Sequence, residues 1–168
     1  MRSTFLYCHS LSRIIVDSDN SVYDSREDCN AIIETATNTL IEGFKTTVIP
    51  NSVTGIGCLA FLGCTSLVSV TIPKSVTKIG YDAFAGCKSL KSITIPESVS
   101  EIGQCAFSHC TSLESIVIPQ GVTKIELRTF EGCTSLKSIT IPESVTVIDK
   151  QVFSGCTSLE SIVIPQGV

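Results

Sequence analysis

The chain has 168 residues, of which 43% are hydrophobic and 17% charged, with a net charge of −4 and a pI of about 5.1. Its length suits one continuous core, whereas the scattering of its 12 Lys and Arg residues argues against a nucleic-acid partner. No apolar run is long enough to predict a membrane span.

The first 16 residues carry part of a repeat that recurs later in the chain, where each unit of 23 residues begins with a proline. Counting places from that proline, places 12, 15, 17, 18, 21 and 23 are filled by Phe5, Cys8, Ser10, Leu11, Ile14 and Val16. We therefore interpret residues 1–16 as a partial repeat. A signal peptide is not predicted, because this stretch lacks a sustained apolar segment and a small-residue cleavage site.

Residues 17–49 interrupt the repeat, since 33 residues stand where a unit would have 23. Ala31–Glu34 and Thr39–Glu42 read as two short strands of a β-hairpin, joined through residues 35–38. Thr46–Ile49 is then predicted to re-enter the sheet. This pattern indicates a variant repeat with a hairpin insertion, and not a second domain.

Acidic and polar residues at the start of this segment have the spacing of a calcium loop. Places 1, 3, 5, 7, 9 and 12 of such a loop fall on Asp17, Asp19, Ser21, Tyr23, Ser25 and Asp28. Val22 stands where the loop needs glycine, and the last ligand is Asp where Glu is usual. We favour a solvated acidic loop over calcium, and no metal or cofactor is predicted.

Residues 50–164 form five consecutive repeats of 23 residues, and residues 165–168 begin a further one. The chain's only prolines mark the starts: Pro50, Pro73, Pro96, Pro119, Pro142 and Pro165. A strict period of this length predicts a repeat solenoid, in which each coil buries its apolar side against the next. We expect residues 1–168 to form a single solenoid domain.

Each repeat divides into a strand and a turn-rich arc. Apolar residues recur at places 4, 7, 12, 18, 21 and 23. The stretch Leu90–Ile95 alternates apolar and polar residues and predicts a short strand that ends at the following proline. The other half of the unit, with glycines around Ala83 and Phe84, predicts turns or 3₁₀ segments. Successive strands would pair in parallel, about 4.8 Å apart, as one sheet closed by an arc.

The repeat pattern, P-x-S-V-T-x-I-G-x-x-A-F-x-G-C-x-S-L-x-S-I-x-I, resembles the BspA-like leucine-rich repeats. The match spans essentially the whole chain. The resemblance implies a right-handed horseshoe with its parallel β-sheet on the concave face and turns or 3₁₀ segments on the convex side. It also implies a surface-exposed protein with a role in adhesion or host interaction.

Nine cysteines are unusual for this length, and five of them hold place 15: Cys64, Cys87, Cys110, Cys133 and Cys156. Zinc needs four ligands within about 2.3 Å of one ion, whereas neighbours in a ladder lie about 4.8 Å apart in a line. Disulfides are compatible with that separation. We favour buried free thiols that act as small apolar residues. Cys8 is expected to extend the column, and Cys29, Cys58 and Cys105 lie outside it.

No catalytic residues are predicted. His9 and His109 are the chain's only histidines, and His109 occupies place 14, where the other repeats have glycine, so we interpret it as a turn variant. His9 precedes Ser10 in the equivalent turn. The serines recur with the repeat, whereas a catalytic triad needs one singular constellation.

The strand residues at places 20 and 22 should point outward on the concave side, because places 18, 21 and 23 point inward. We call this surface the hydroxyl face: Ser69, Thr71, Ser92, Thr94, Ser115, Val117, Ser138, Thr140, Ser161 and Val163. Place 19 adds a charged rim of alternating sign: Lys91, Glu114, Lys137 and Glu160. The alternation favours pairing that holds the strand register, with a partner-binding rim as the alternative.

Three functions are compatible with these features. The first is a non-enzymatic module of a bacterial surface protein, binding a protein or glycan through the hydroxyl face. The second is a structural spacer in a longer surface protein, and the third, least favoured, is a hydrolase. The resemblance implies a cell-surface or secreted location. Because no polar caps are visible at the ends, we also expect end-to-end self-association.

Overall fold

The computed structural model describes residues 4–5, 8, 11 and 13–168. His9 and Ser10 of the predicted partial repeat lie outside the described residues. A short turn spans Arg26–Asp28, in which Glu27 and Asp28 have a left-handed backbone with φ of 58° and 50°. The strands are β1 Tyr23–Asp24, β2 Ala31–Glu34, β3 Thr39–Gly43, β4 Gly55–Ile56, β5 Lys78–Ile79, β6 Glu101–Ile102, β7 Ser115–Val117, β8 Lys124–Ile125, β9 Ser138–Thr140 and β10 Val147–Ile148.

The interrupted segment contains the predicted hairpin, with β2 antiparallel to β3. On one side β1 adds an antiparallel strand to β2, and on the other β3 pairs in parallel with β4 of the first full repeat. The pattern that predicted a solvated loop missed β1, because a two-residue strand leaves no alternation to detect.

Thr46–Ile49 does not form the predicted strand. This segment instead donates hydrogen bonds to the residues just before the hairpin. The Val48 N–H donates to the Cys29 carbonyl at 3.0 Å, and the Thr47 hydroxyl donates to the Asn30 carbonyl at 2.7 Å. The prediction was wrong because the insertion supplies these carbonyls in place of a neighbouring strand.

The repeats form two parallel ladders where the sequence predicted one. The first ladder lies at places 6 and 7, where β4, β5 and β6 continue the hairpin sheet and β8 pairs with β10. The second ladder lies in the predicted strand region, where β7 pairs with β9 and bridges join Thr71 to Thr94 and Ser92 to Ser115. The predicted arc therefore includes extended backbone as well as turns.

These parallel ladders confirm the repeat-solenoid class of fold. The described repeats contain none of the predicted 3₁₀ segments, and they turn through hydrogen-bonded turns at places 9 to 14. The right-handed, horseshoe form of the coil stays a prediction.

A column of stacked phenylalanines runs through the core. Phe61, Phe84, Phe107, Phe130 and Phe153 hold place 12 of successive repeats. Their ring centroids are 5.0, 5.4, 5.7 and 5.9 Å apart, and neighbouring planes differ by at most 8°. Because each ring is covered by its neighbours, this column supplies much of the apolar area that the coils bury against one another.

The thiol column at place 15 packs beside these rings. All nine cysteines are free, and Cys87, Cys110 and Cys133 are buried, whereas Cys8 is exposed. The Cys110 thiol donates to the Phe84 carbonyl of the preceding repeat at 3.1 Å, and the same contact recurs along the column. Burial raises the pKa of the Cys110 thiol well above its usual range, so the group stays protonated.

Two positions in every turn, places 10 and 14, have a left-handed backbone. At place 14 the glycines have φ between 66° and 74°, and His109 in the same place has φ of 55°. This confirms His109 as a turn variant. Its ring also covers the next repeat, because a Cβ built on Gly132 would lie 2.4 Å from His109 Nδ1.

Candidate binding surfaces

The hydroxyl face is exposed along its whole length, and its ten residues are exposed in every repeat. Among the residues between them, Ile72, Ile93, Ile95, Ile116 and Ile118 are buried, whereas those of the last two repeats are only partly buried or, at Ile164, exposed. The alternation predicted from the sequence is therefore present, and the result is a surface of small side chains over a packed row of isoleucines.

The charged rim forms fewer pairs than its alternating signs suggest. Lys137 Nζ lies 3.2 Å from Glu114 Oε2, with both side chains more than half exposed. In the part of the chain that the structure describes, this is the rim's only ion pair, and Lys91 and Glu160 make none. Because exposed pairs contribute little, the rim adds only slightly to the stability of the ladder.

A groove of about 770 Å³ lies along the first ladder, away from the hydroxyl face. The hairpin forms one wall, with Thr39 and Ile41 of β3. The floor carries Gly57, Gly80 and Gly103, which hold place 8 of three successive repeats. None of the binding residues predicted from the sequence lines this groove.

Strand register brings a row of different side chains to one face of this sheet. Across the ladder, Tyr23 is opposite Glu34, and Glu34 is opposite Thr39. The row continues through Gly55 to Lys78 and Glu101. Residues directly opposite each other point to the same side of a sheet, so the row lines the groove with acidic, basic and hydroxyl groups.

The glycine floor is required by close approach of the coils. A Cβ on Gly80 would lie 2.6 Å from the backbone nitrogen of Cys58, and one on Gly103 would lie 2.7 Å from the carbonyl carbon of Gly80. These glycines leave an open trough three repeats long. Glu126 takes the same place in the next repeat and closes that end with a side chain.

Ion pairs occupy the charged groups at that end of the groove. Lys124 Nζ is 2.8 Å from Glu126 and 3.4 Å from Asp149. The hydrogen bond to Glu126 raises the pKa of Lys124, and the Lys150 backbone N–H together with Lys124 lowers the pKa of Asp149. Among the described residues, Lys78 and Glu101 form no ion pair, so both remain open to a ligand.

A buried carboxylate lies at the back of the hairpin. Glu42 of β3 is 7% exposed, and its Oε2 atom has no hydrogen-bond partner within the described structure. Burial raises the pKa of Glu42 to about 7. This group lines a separate cavity of about 40 Å³ with Phe5 and Cys64. That volume holds no more than one or two waters.

The acidic segment uses its side chains in local turns. Asp17 Oδ1 accepts the Asp19 N–H at 2.9 Å, and Ser25 Oγ accepts the Val16 N–H at 3.0 Å. Asp28 lies 3.6 Å from Arg13. Among the residues the structure covers, no group of three His, Cys, Asp or Glu side chains is placed to hold a metal. In those same residues no helix is both long and apolar enough to span a membrane.

The sequence predicted the hydroxyl face but not the groove. The signal was present in the first half of each repeat, where place 6 reads Gly55, Lys78, Glu101, Lys124 and Val147 while places 4 and 7 stay apolar. Variable residues beside constant ones indicate an exposed position. Only the pairing of β3 with β4, however, brings the hairpin beside these residues.

Stacked coils, parallel ladders and buried Leu and Ile columns define a leucine-rich repeat solenoid. The family model for the BspA type leucine rich repeat region matches in six copies across residues 38–160. The chain belongs to this family.

Solved structures agree. A leucine rich cell surface protein from Faecalibacterium prausnitzii is 37% identical with a TM-score of 0.83, over 95% of this chain and 43% of that one. The leucine rich repeat protein of T. pallidum is 33% identical with a TM-score of 0.72, over 92% of this chain and 73% of that one. A leucine-rich repeat protein from Eubacterium ventriosum shares the fold, at 24% identity and a TM-score of 0.75, over 100% and 52% of the two chains.

The chain thus spans less than half the length of the Faecalibacterium protein. Among curated proteins, none matches the chain.

Proposed function

We propose that this chain is a non-enzymatic interaction module of a bacterial cell-surface protein, with a role in adhesion, and that it binds a protein partner through the hydroxyl face. The observation that carries the proposal is the exposed row of ten small side chains, which in the first repeats overlies isoleucines that are buried. Such a surface is rigid and loses little side-chain entropy on binding. Family membership and the description of the Faecalibacterium relative as a cell surface protein support the location.

A protein partner suits this face better than a glycan does. The outward side chains are Ser, Thr and Val, so the surface has little relief and little charge. A small ligand needs a concave site that buries most of its surface, whereas a protein can cover many repeats at once. The position of this face on the concave side of the coil is part of the proposal.

Binding to a panel of purified extracellular-matrix proteins, measured by surface plasmon resonance, tests this function. At least one member should bind, and the double variant Ser115→Arg with Ser138→Arg should weaken that binding at least about tenfold, since two buried charges oppose it. Gln120→Arg with Gln166→Arg is the matched control, because both residues are exposed away from this face. A panel with no binder, or a Ser115/Ser138 variant that binds like the wild type, would overturn the proposal.

The spacer hypothesis is the second candidate. It rests on the same stiffness of the stacked coils, and it differs in its expectation for the hydroxyl face. Replacing the outward residues at places 20 and 22 would leave a spacer's function intact.

Self-association of the isolated chain is a further part of the proposal. Near the end of the chain Ile164 and Val168 are each 50% exposed, whereas Ile118 and Val122 at the matching places of earlier repeats are buried. A second copy could cover this apolar end. Light scattering at high micromolar concentration should show dimers or larger species, and a clean monomer would contradict the expectation.

A further inference from the structure

We infer that the groove along the first ladder binds a short neutral oligosaccharide. The site is separate from the hydroxyl face, so this inference goes beyond the proposed function and does not rest on it. The volume of about 770 Å³ lies within the range of small-molecule sites.

The polar groups around the groove suit a ligand rich in hydroxyls. Such a ligand both donates and accepts hydrogen bonds at each hydroxyl. Lys78 can only donate, Glu101 can only accept, and the Gln104 amide and the Ser100 and Thr123 hydroxyls can do both. A mixed set of this kind can satisfy many hydroxyls without a net charge on the ligand.

Tyr81 supplies the apolar element of the site. It borders the groove and is 47% exposed, in the place next to the glycine floor. Pyranose rings present a face of C–H groups beside their hydroxyls, and an amphipathic ring such as Tyr can pack on that face while its hydroxyl stays hydrated. The bare glycine floor lets a sugar ring come close to the backbone.

Hydrogen bonds within the hairpin hold its wall in place without a ligand. The Thr37 hydroxyl donates to the Glu34 carboxylate at 2.5 Å and lies 2.9 Å from the Thr39 hydroxyl. Among the described repeats, only the variant one carries such a hairpin. The insertion therefore converts one end of a repeating surface into a walled site, which lowers the cost of ordering on binding.

Other ligand classes fit the groove less well. An added peptide strand needs free backbone groups at a sheet edge. Here the N–H groups of Gly57, Gly80 and Gly103 already donate to the preceding repeat at 2.7 to 2.9 Å. An anionic ligand would need a cluster of cationic side chains. The groove has none to offer, because Lys124 is already paired with Glu126 and Asp149. An apolar ligand would bury the carboxylates and hydroxyls of the lining without hydrogen-bond partners.

A printed array of neutral and sialylated oligosaccharides, probed with the whole chain, is the first experiment. We expect binding to neutral members, followed by isothermal titration with the best of them. Tyr81→Ala and Gln104→Ala should each weaken binding about tenfold, the effect of losing one good contact. Tyr81→Phe, which keeps the ring, should lose much less.

Gln120→Ala is the matched control for Gln104→Ala, since Gln120 is exposed outside the groove. Melting temperatures of all variants should equal that of the wild type, which separates loss of binding from loss of fold. The Ser115→Arg and Ser138→Arg double variant should bind the sugar like the wild type.

Three results would overturn the inference. These are an array without a neutral binder, a preference for sialylated members, or affinity unchanged in both Tyr81→Ala and Gln104→Ala. If no matrix protein binds, the inference about the groove still stands, because the variants that test the groove and those that test the hydroxyl face are at different residues.

Discussion

The regular repeats and the variant repeat solve the same packing problem in different ways. In residues 50–164 several polar contacts recur from one repeat to the next. The Ser98 hydroxyl donates to the Val76 carbonyl at 2.7 Å, and Ser75 and Ser144 repeat that contact. The thiols repeat theirs with a separation of 26 residues. The same contacts therefore recur in several coils.

The variant repeat at residues 17–49 depends on contacts that occur once. Arg26 pairs with Asp24 and reaches Asn38 at 2.9 Å, and Glu42 keeps a buried oxygen without a partner in the described part of the chain. The same insertion builds the wall of the groove. Repetition thus stabilises this solenoid, whereas departure from the repeat introduces both the unpartnered Glu42 oxygen of the described structure and the wall of the groove.

Removing one ring of the phenylalanine column should have the largest effect. Phe107→Ala leaves a cavity between Phe84 and Phe130 and should lower the free energy of unfolding by about 3–5 kcal/mol. Urea denaturation measures this, with Phe107→Leu as a milder control. A loss below about 1 kcal/mol would mean that the stack does not carry the regular repeats.

Glu42 should make the variant repeat sensitive to pH. Its pKa is about 7 in the folded chain and near 4.5 when unfolded, so the folded state holds the proton more tightly. Stability should therefore fall as the pH rises from about 4.5 to about 7, by roughly 3 kcal/mol in total. Glu42→Gln should abolish this dependence, whereas the exposed Glu114→Gln should keep it. A wild-type profile that is flat across this window would contradict the burial of Glu42.

His109 is the exception within the regular repeats. A left-handed backbone is strained in any residue that has a Cβ. His109→Gly should therefore raise the free energy of unfolding by up to about 1 kcal/mol. His109→Ala keeps the strain and should not stabilise. Thermal unfolding of the wild type and the two variants tests this. Equal stability of the Gly and Ala variants would show that the left-handed backbone of His109 is not strained.

The charged rim should show the smallest effect. Glu114→Lys removes the pair with Lys137 and should cost about 0.2–1 kcal/mol at low salt. Glu160→Lys, where the described structure has no ion pair, should cost less. If both variants lower the melting temperature equally, the alternation of sign acts through long-range charge and not through the observed pair.

Much of this architecture can be predicted from local patterns. Proline spacing indicates the coils, the apolar places identify the buried columns, and the turn chemistry identifies His109 as a glycine substitute. The hairpin at Ala31–Glu34 is predicted because each strand has enough residues to reveal its character. The hydroxyl face follows from alternation alone.

The first ladder, the groove and the state of Glu42 could not be predicted in the same way. Strands of two residues, such as Lys78–Ile79, have no period to detect. The groove depends on which repeat pairs with β3. Glu42 reads as an ordinary strand carboxylate, because the residues that line its cavity, such as Phe5 and Cys64, lie far from it in the chain.

The pattern of residues along the chain is enough to predict the repeat, its family and the columns that fill its core, because units of similar sequence bury similar faces by stacking in register. The pairing of β3 with β4, in contrast, fixes where the hairpin lies and therefore where the groove has a wall. Every repeat offers backbone groups of similar chemistry, so the hairpin has a choice of ladders to pair with. That choice depends on contacts between residues far apart in the chain, and no local pattern records them.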